Sequence, residues 1–536
     1  MAIGTALILG AALHASAVPI DFIDDAYISF RYAWNLSHGN GLAFNPGEAV
    51  EGYSNLTWVL AASALLKLGA PLEPAIRCTG VLLMAATALV LSRLLRTLGA
   101  STGLSAAAAF LLLSTGAWVL PTLNGLEGPL FSLLLLAITS LHWRNVNGGT
   151  KGSAMATGAL GVLLAATRPE GYLLFIAQAT AAATASALKR ELGAWRVHAL
   201  SLGTFALGFP ALALWRLETY GSFVSNAVRA KLGPELFGRF LSLSLGGGLQ
   251  YGIDFFLATF PLWLLTGAAI AWAWRRVGSA TPALTGLLAL AVIPWGIGMG
   301  VVLANNGDWM PHYRLLAPYI PLLILVAGAL LIGAPHRAII AVPLICAAVV
   351  APAHLTSPSL SHLVHHQPSD FHRAWCRLGA DLQAAAASPE HTVVAVEVLG
   401  VFSYCAPQLR VRDLSGLTDH DIASHEPSGG VFGRKTRPTT LEAMRPDAIV
   451  LNDLKYWRQL LSESAWFRDD LRSLSCAALL ADQVYAFVDP HGAVAAGAIP
   501  SCAVERMPTR EAFQKASCLQ KSWPYQFPRD CNGMAR

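Results

Sequence analysis

The chain has 536 residues, of which 54% are hydrophobic and 13% charged, with a mean hydropathy of +0.50. Soluble domains carry about 25% charged residues, so an ordinary soluble enzyme is excluded and a polytopic α-helical membrane protein is expected. A formal net charge of +5 is too small for this length to make nucleic acid a partner, and the 47 Gly and 30 Pro show no period that would suggest a collagen-like chain.

A spanning helix needs about 20 mostly apolar residues. Eleven such runs are expected, near 2–18, 78–95, 103–121, 128–143, 152–167, 171–188, 197–215, 253–274, 283–304, 314–333 and 337–353. The first, MAIGTALILGAALHASAVPI, lacks a basic n-region and is read as a retained helix. The stretch 56–68 (LTWVLAASALLKL) has 13 residues and is read as interfacial or re-entrant. With that choice, one set of loops collects Arg93, Arg96, Arg144, Lys151, Lys189, Arg190, Arg196, Arg275, Arg276 and Arg337 in about 40 positions, against about nine basic residues in roughly 115 positions on the other side. The positive-inside rule makes the first set cytoplasmic, so the N-terminus is expected inside and everything after about residue 354 outside.

The dense polar motifs then fall on the external side. The first external loop, 19–77, holds IDFIDDAYISFRYAWNLSHGNGLAFNPGEAVEGYSN; later ones hold NGLEG (124–128), TRPEG (167–171), ETYGSFVSNAVRAKLGPE (218–235) and NNGDWMPHYR (305–314). Charged groups at that depth are expensive unless paired or hydrated, and a one-sided set of them points to a site more than to helix capping. Asp24 and Asp25 follow the first run directly. Adjacent carboxylates point in different directions, so one can face a reacting hydroxyl while its neighbour holds the loop, and a carboxylate in low dielectric has the raised pKa that suits a general base. Arg31, Lys231, His312 and Arg314 are the expected partners of a phosphate head group. Glu51, Tyr53, Glu127, Arg168, Glu170, Asp308 and Trp309 are the expected contacts to sugar or acceptor. The spacing demands no metal or other cofactor; a divalent ion bridging carboxylate and phosphate is compatible with the residues but not indicated by them.

The tail, 354–536, alternates apolar β-rich stretches, HTVVAVEV (391–398), DAIVLN (447–452) and VYAFV (484–488), with the helical pattern FHRAWCRLGADLQAAAA (371–387). A small external α/β domain is expected there, beside a membrane domain over 1–353. Cys376, Cys405, Cys476, Cys502, Cys518 and Cys531 lie in this tail, an even number that in an oxidising compartment reads as up to three disulfides of open connectivity.

The string DDAYISFRYAWNLSHGNGLAFNPGEAVEGYSNLTWVL (24–60) resembles the first external loop of the GT-C polyprenyl-phosphate-sugar glycosyltransferases, and among them the mycobacterial terminal arabinofuranosyltransferases. The likeness continues in order through NGLEGPLFSLLLLA (124–137), ATRPEGYLL (166–174), YGSFVSNAVRAK (220–231), GDWMPHYRLLAPYIPLL (307–323) and DLSGLTDHDIA (413–423). The resemblance implies a GT-C fold and a lipid-linked donor, decaprenyl- or undecaprenyl-phosphate arabinofuranose. It also implies a cell-envelope glycan acceptor and an external C-terminal domain, on a protein of the bacterial inner membrane. By position, Asp24 and Asp25 match the family's acidic pair, Lys231 the lysine closing a Pro-Asn-Thr motif, and Asp308 the acid of a Gly-Asp-Phe/Trp-Met motif. Ser225-Asn226-Ala227 stands where Pro-Asn-Thr is usual, and Gly433-Arg434-Lys435 where the family has Gly-His-Glu-Lys. Two other readings stay open: a related enzyme that glycosylates a surface protein such as pilin, and a transporter of lipid-linked saccharides, whose site would lie near mid-membrane.

Overall fold

Long apolar stretches broken by short polar loops set the element order. In the computed structural model, residues 21–189, 194–232, 247–277, 282–308, 310–334, 368–425, 436–451 and 485–488 are described. The first helices are α1 (Asp24–Ser37), α2 (Leu56–Lys67), α3 (Leu72–Thr97), α4 (Thr102–Ser114), α5 (Gly116–Thr122), α6 (Gly128–Val146) and α7 (Lys151–Thr167). There follow α8 (Gly171–Leu188), α9 (Trp195–Tyr220), α10 (Asn226–Leu232), α11 (Gly247–Ala258), α12 (Phe260–Val277), α13 (Pro282–Ala304) and α14 (Ile320–Leu330). The C-terminal elements are α15 (Pro368–Ala385), β1 (Val393–Val396), α16 (Leu399–Cys405), β2 (Arg410–Asp413), α17 (His420–Ser424), α18 (Pro438–Met444), β3 (Ala448–Leu451) and β4 (Tyr485–Val488). The expected runs 2–18 and 337–353, Trp309, Gly433–Lys435 and the last four cysteines lie outside the described residues.

Among the described residues, α3, α8, α9 and α13 are long and apolar enough to cross a membrane, and up to six spans result if the bent pairs α4–α5 and α11–α12 each count as one. The chain is thus a multi-pass membrane protein, and among the described residues it has fewer clear spans than the runs expected there. The runs at 128–143 and 152–167 do form α6 and α7, but α6 carries His142, Arg144 and Asn145 in its last turns, and α7 has 17 residues. At 1.5 Å per residue α7 reaches about 25 Å, short of a hydrocarbon core of about 30 Å. The runs at 103–121 and 253–274 are each two helices, bent by 60° and 73°. The run at 314–333 shrinks to α14, 11 residues, because turns and two short 3-10 segments occupy 310–319. The stretch 56–68 is the short helix α2.

The chain divides into two compact units. One comprises Met1–Ile23, Ser54–Phe223 and Leu236–His366; the other comprises Asp24–Tyr53, Val224–Glu235 and Gln367–Arg536. This differs from a single cut near residue 354, since two segments of the expected external loops group with the C-terminal unit. In the helical unit, α9 packs on α7, α13 on α8, and α6 on both α3 and α7. The α7–α9 contact is close because Gly158 has no side chain: a Cβ there would meet Ser201 O, Thr204 Cβ and Phe205 N. Small residues permit this backbone approach between membrane helices, where dispersion rather than the hydrophobic effect holds the pair.

The C-terminal unit holds a four-stranded sheet of order β2-β1-β3-β4. The first three strands are parallel and β4 is antiparallel to β3. The sheet matches the stretches expected at 391–398, 447–452 and 484–488; β2, with the polar sequence RVRD, was not expected. The free edge of β2 is covered by Asn45, whose side chain accepts from Val411 N (3.0 Å) and donates to Val411 O (2.8 Å), as a neighbouring strand would. Arg410 of the same strand pairs with Glu48 at 2.6 Å.

Substituting Gly158→Val is expected to push α7 from α9 and lower the thermal midpoint of the purified protein, at an overpacking cost of about 1–3 kcal/mol. An unchanged midpoint contradicts the close contact.

Candidate functional site

In the C-terminal unit the site residues are organised by α16, a seven-residue helix. A helix end leaves N–H groups unbonded at its start and carbonyls at its finish, with partial positive and negative charge respectively. The N-cap residue of α16 is Val398, which has no side chain able to accept a hydrogen bond. Asp24 takes that place from α1: its two carboxylate oxygens accept Gly400 N and Val401 N, each at 2.9 Å. The approach is tight enough that a Cβ on Gly400 would land on the Asp24 carbonyl.

Arg31 lies seven residues further along α1, two turns on and on the same face. Its Nη1 donates to Ser403 O and Ala406 O at the finish of α16, and its Nη2 to Leu409 O at 2.8 Å and Asn45 Oδ1 at 3.4 Å. Its Nε donates to Phe44 O at 2.8 Å, and the guanidinium lies over the Phe44 ring. Burial pulls its pKa down to about 9, which leaves it charged at neutral pH. With 1% of its surface exposed and all five N–H groups engaged, Arg31 has no donor left for a phosphate, and the role expected for it from sequence is corrected to a structural one.

Asp25 follows about 100° further round α1, away from the direction that takes Asp24 to α16. Burial pushes the Asp24 carboxyl up to about 6; the Val401 and Gly400 N–H bonds and His372 on α15 oppose that rise, and Asp25 adds to it. The two carboxylates are therefore adjacent but not equivalent.

Other candidates of this unit are held by long-range hydrogen bonds. Glu51 O accepts Asn226 N at 2.8 Å, and Asn226 Nδ2 donates to Gly416 O (2.8 Å) and Leu417 O (2.9 Å). The 413–419 turn is itself built on Asp413, fully buried, which accepts Ser415 N and Thr418 N at 2.8 Å each. The Tyr53 ring meets Tyr32 edge-on at 4.8 Å between centroids, and Tyr32 Oη accepts Gly52 N. Lys231 sits exposed in the last turn of α10, the helix that Asn226 anchors. Asn226 was not among the expected site residues, although its position inside a departing motif was the available signal.

In the helical unit a second group assembles at helix ends. Glu127 precedes α6, Arg168 closes α7 and Glu170 precedes α8. Arg168 Nε lies 2.8 Å from Glu170 and 3.9 Å from Glu127, and all three residues are buried. Glu127 also accepts Asn55 Nδ2 at 2.8 Å, and the Arg168 guanidinium lies 5.1 Å from the Phe131 ring centroid. Arg168 Nη1 donates to Arg314 O at 3.2 Å, which brings in the loop bearing Asp308, where Arg314 forks onto that carboxylate with its shortest contact at 2.6 Å. His312, in the same segment, is buried and has φ +72°, with Tyr313 at +54° and Asn306 at +56°. Such backbone costs about 1–3 kcal/mol per residue outside glycine and collects at functional segments. The expected Glu127, Arg168, Glu170, Asp308 and Arg314 therefore come together, and His312 lies in the segment between the last two. Arg314 faces a carboxylate, so the group carries three acids against two guanidiniums. It is suited to orienting polar groups rather than to trapping a bare anion. Tyr319 was missed: it is fully buried, and its hydroxyl has no hydrogen-bond partner among the described residues. Among the described residues no group of three or more His, Cys, Asp or Glu is arranged to hold a metal ion.

An acid whose pKa is raised on folding contributes stability that is complete below its unfolded value, near 3.8, and lost as pH rises through about 6. The thermal midpoint is thus expected to contain a component that falls between about pH 4 and pH 7 and is removed in Asp24→Asn; identical slopes in wild type and variant contradict the burial of this carboxyl.

Residues 370–496 match a family described as a domain of unknown function (DUF8728). No curated protein is similar enough in sequence to count as a relative. Among solved structures, ArnT from Cupriavidus metallidurans bound to undecaprenyl phosphate is similar at TM-score 0.54 and 14% identity, over 87% of this chain and 95% of that one. The apo state of the same enzyme is similar at 0.52 and 15% identity, over 85% and 94%. The apo oligosaccharyltransferase of Archaeoglobus fulgidus is similar at 0.51 and 12% identity, over 84% and 69%. At these identities the likeness is one of fold: the chain shares the fold of ArnT and of this oligosaccharyltransferase.

Proposed function

We propose that the protein is a membrane glycosyltransferase that moves a sugar from a polyprenyl-phosphate carrier to a hydroxyl of a cell-envelope glycan. The observation that carries this reading is the buried ionic group Glu127–Arg168–Glu170 with Asp308–Arg314, assembled from three loops at helix ends. A GT-C fold around it supports the same reading, since ArnT of that fold was solved with undecaprenyl phosphate bound. Charged groups gathered at helix ends favour chemistry at the membrane boundary over transport through mid-membrane.

In the proposed reaction Asp25 takes the proton of the acceptor hydroxyl. The acceptor oxygen bonds to the anomeric carbon, the bond from that carbon to the phosphate oxygen breaks, and the electron pair leaves with the polyprenyl phosphate. Lys231 and His312 are assigned to the phosphate, whose charge grows as the bond breaks and is stabilised by a nearby cation or N–H donor. Glu51, Tyr53, Glu127, Glu170, Asp308 and Trp309 are assigned to sugar and acceptor hydroxyls, with Arg168 and Arg314 orienting the carboxylates. Asp24 is assigned to holding the pair in place. The sequence likeness over 24–60 supports arabinofuranose as the sugar, and the charge bias of the loops supports a site on the external face with the N-terminus inside.

The test is turnover of the purified protein in lipid with a radiolabelled polyprenyl-phosphate pentose and a glycan acceptor. Asp25→Asn is expected to lower the rate about 10²- to 10⁴-fold, the usual worth of a general base. Wild-type turnover in a correctly inserted Asp25→Asn protein contradicts the assignment.

A further inference from the structure

The Cys376–Cys405 disulfide joins α15 to the last residue of α16. The two helices also meet closely at Gly379, where a Cβ would lie 2.6 Å from Phe402 O. Both cysteines keep partial exposure, so a small reductant reaches the bridge. Helix α16 is far below the length at which an isolated helix is stable, about 12–15 residues. Its place depends on what grips it: Asp24 at the start, Arg31 at the finish, and the bridge to α15.

We propose that the Cys376–Cys405 bridge is a positioning device for the acidic pair, holding α16 so that its first turn holds Asp24 beside Asp25, and that glycosyl transfer runs at full rate only in the bridged protein. This rests on the assignment of Asp25 as the base. Cutting the bridge with a dithiol forms two protein thiols and converts the dithiol to its cyclic disulfide. Helix α16 then loses its tie to α15, and its first turn frays toward water. Gly400 N and Val401 N leave the Asp24 carboxylate, which swings free of its fixed direction.

Two readouts on the full-length protein in lipid test this. The Cys376→Ser/Cys405→Ser variant, with its other cysteines unchanged, is compared with wild type before and after treatment with dithiothreitol and alkylation. Amide exchange in peptides covering 399–405 is expected to be at least about tenfold faster at Gly400 and Val401 when the bridge is absent. On the same samples kcat is expected to fall at least about tenfold while KM for the lipid donor changes less than about twofold, with reoxidation of wild type restoring kcat and the slow exchange. Unchanged exchange overturns the proposal, as does faster exchange with unchanged kcat. If the variant fails to insert, the chemically reduced wild type carries the comparison. Asp25→Asn in parallel separates the two ideas: retained turnover there removes the base assignment, whereas lost turnover there with an unaffected reduced enzyme removes the role of the bridge alone.

Discussion

The arrangement of the C-terminal unit depends on one interaction, the grip of α1 on both ends of α16. A carboxylate meets the N–H groups at the start of the short helix and a guanidinium meets the carbonyls at its finish, each charge facing the end of the dipole it complements. Two turns of α1 and the seven residues of α16 have nearly the same length, about 10 Å, which is why one face of one helix can serve both ends of the other. The consequence reaches the chemistry. Asp24 and Asp25 are equal in sequence, but the direction of each side chain from α1 commits the first to α16 and distinguishes the second. A charge-assisted cap of this kind also explains why a valine is tolerated at the N-cap of α16.

The helical unit solves a different problem, that of keeping ionisable groups buried at helix ends. Arg168 between Glu170 and Glu127, and Arg314 forked onto Asp308, leave no described guanidinium of this group without a carboxylate. Removing one partner of such a pair leaves a buried charge uncompensated, at about 3–5 kcal/mol, so these residues are bound to one another energetically as well as by any shared task. The positive backbone angles at Asn306, His312 and Tyr313 show that the segment bearing Asp308 and Arg314 is not in its easiest conformation. Asn306 offsets part of this by accepting Gly247 N at 2.8 Å and so capping α11.

Much of the helical skeleton was legible because hydropathy runs are local. The run at 171–188 coincides with α8, and those at 197–215 and 283–304 lie within α9 and α13. What hydropathy does not show is a break inside an apolar run. Thr115 and Thr259 interrupt their runs without changing hydropathy, and the helices bend there. The strand RVRD was illegible for a related reason: as an edge strand with two arginines it lacks the apolar signature of β1 and β3. The candidate groups were legible as residue types and loops, and the Glu127–Arg168–Glu170 and Asp308–Arg314 contacts join residues chosen from sequence. Arg31 was not, because its partners Ser403, Ala406 and Leu409 are more than 370 positions away, and they are backbone carbonyls that no motif announces. A similar distance, 376 positions to Gly400, hid the use of Asp24 as a cap, and one of 190 positions hid the place of Asn226 under the 413–419 turn.

A double-mutant cycle on Asp24→Ala and Arg31→Met, read by thermal unfolding of the purified protein, tests the grip on α16 most directly. If both residues stabilise the same short helix, losing either one frays it, and the combined loss falls short of the sum by at least about 0.5 kcal/mol. Strictly additive losses would mean that Asp24 and Arg31 act on separate parts of the unit and that α16 does not link them.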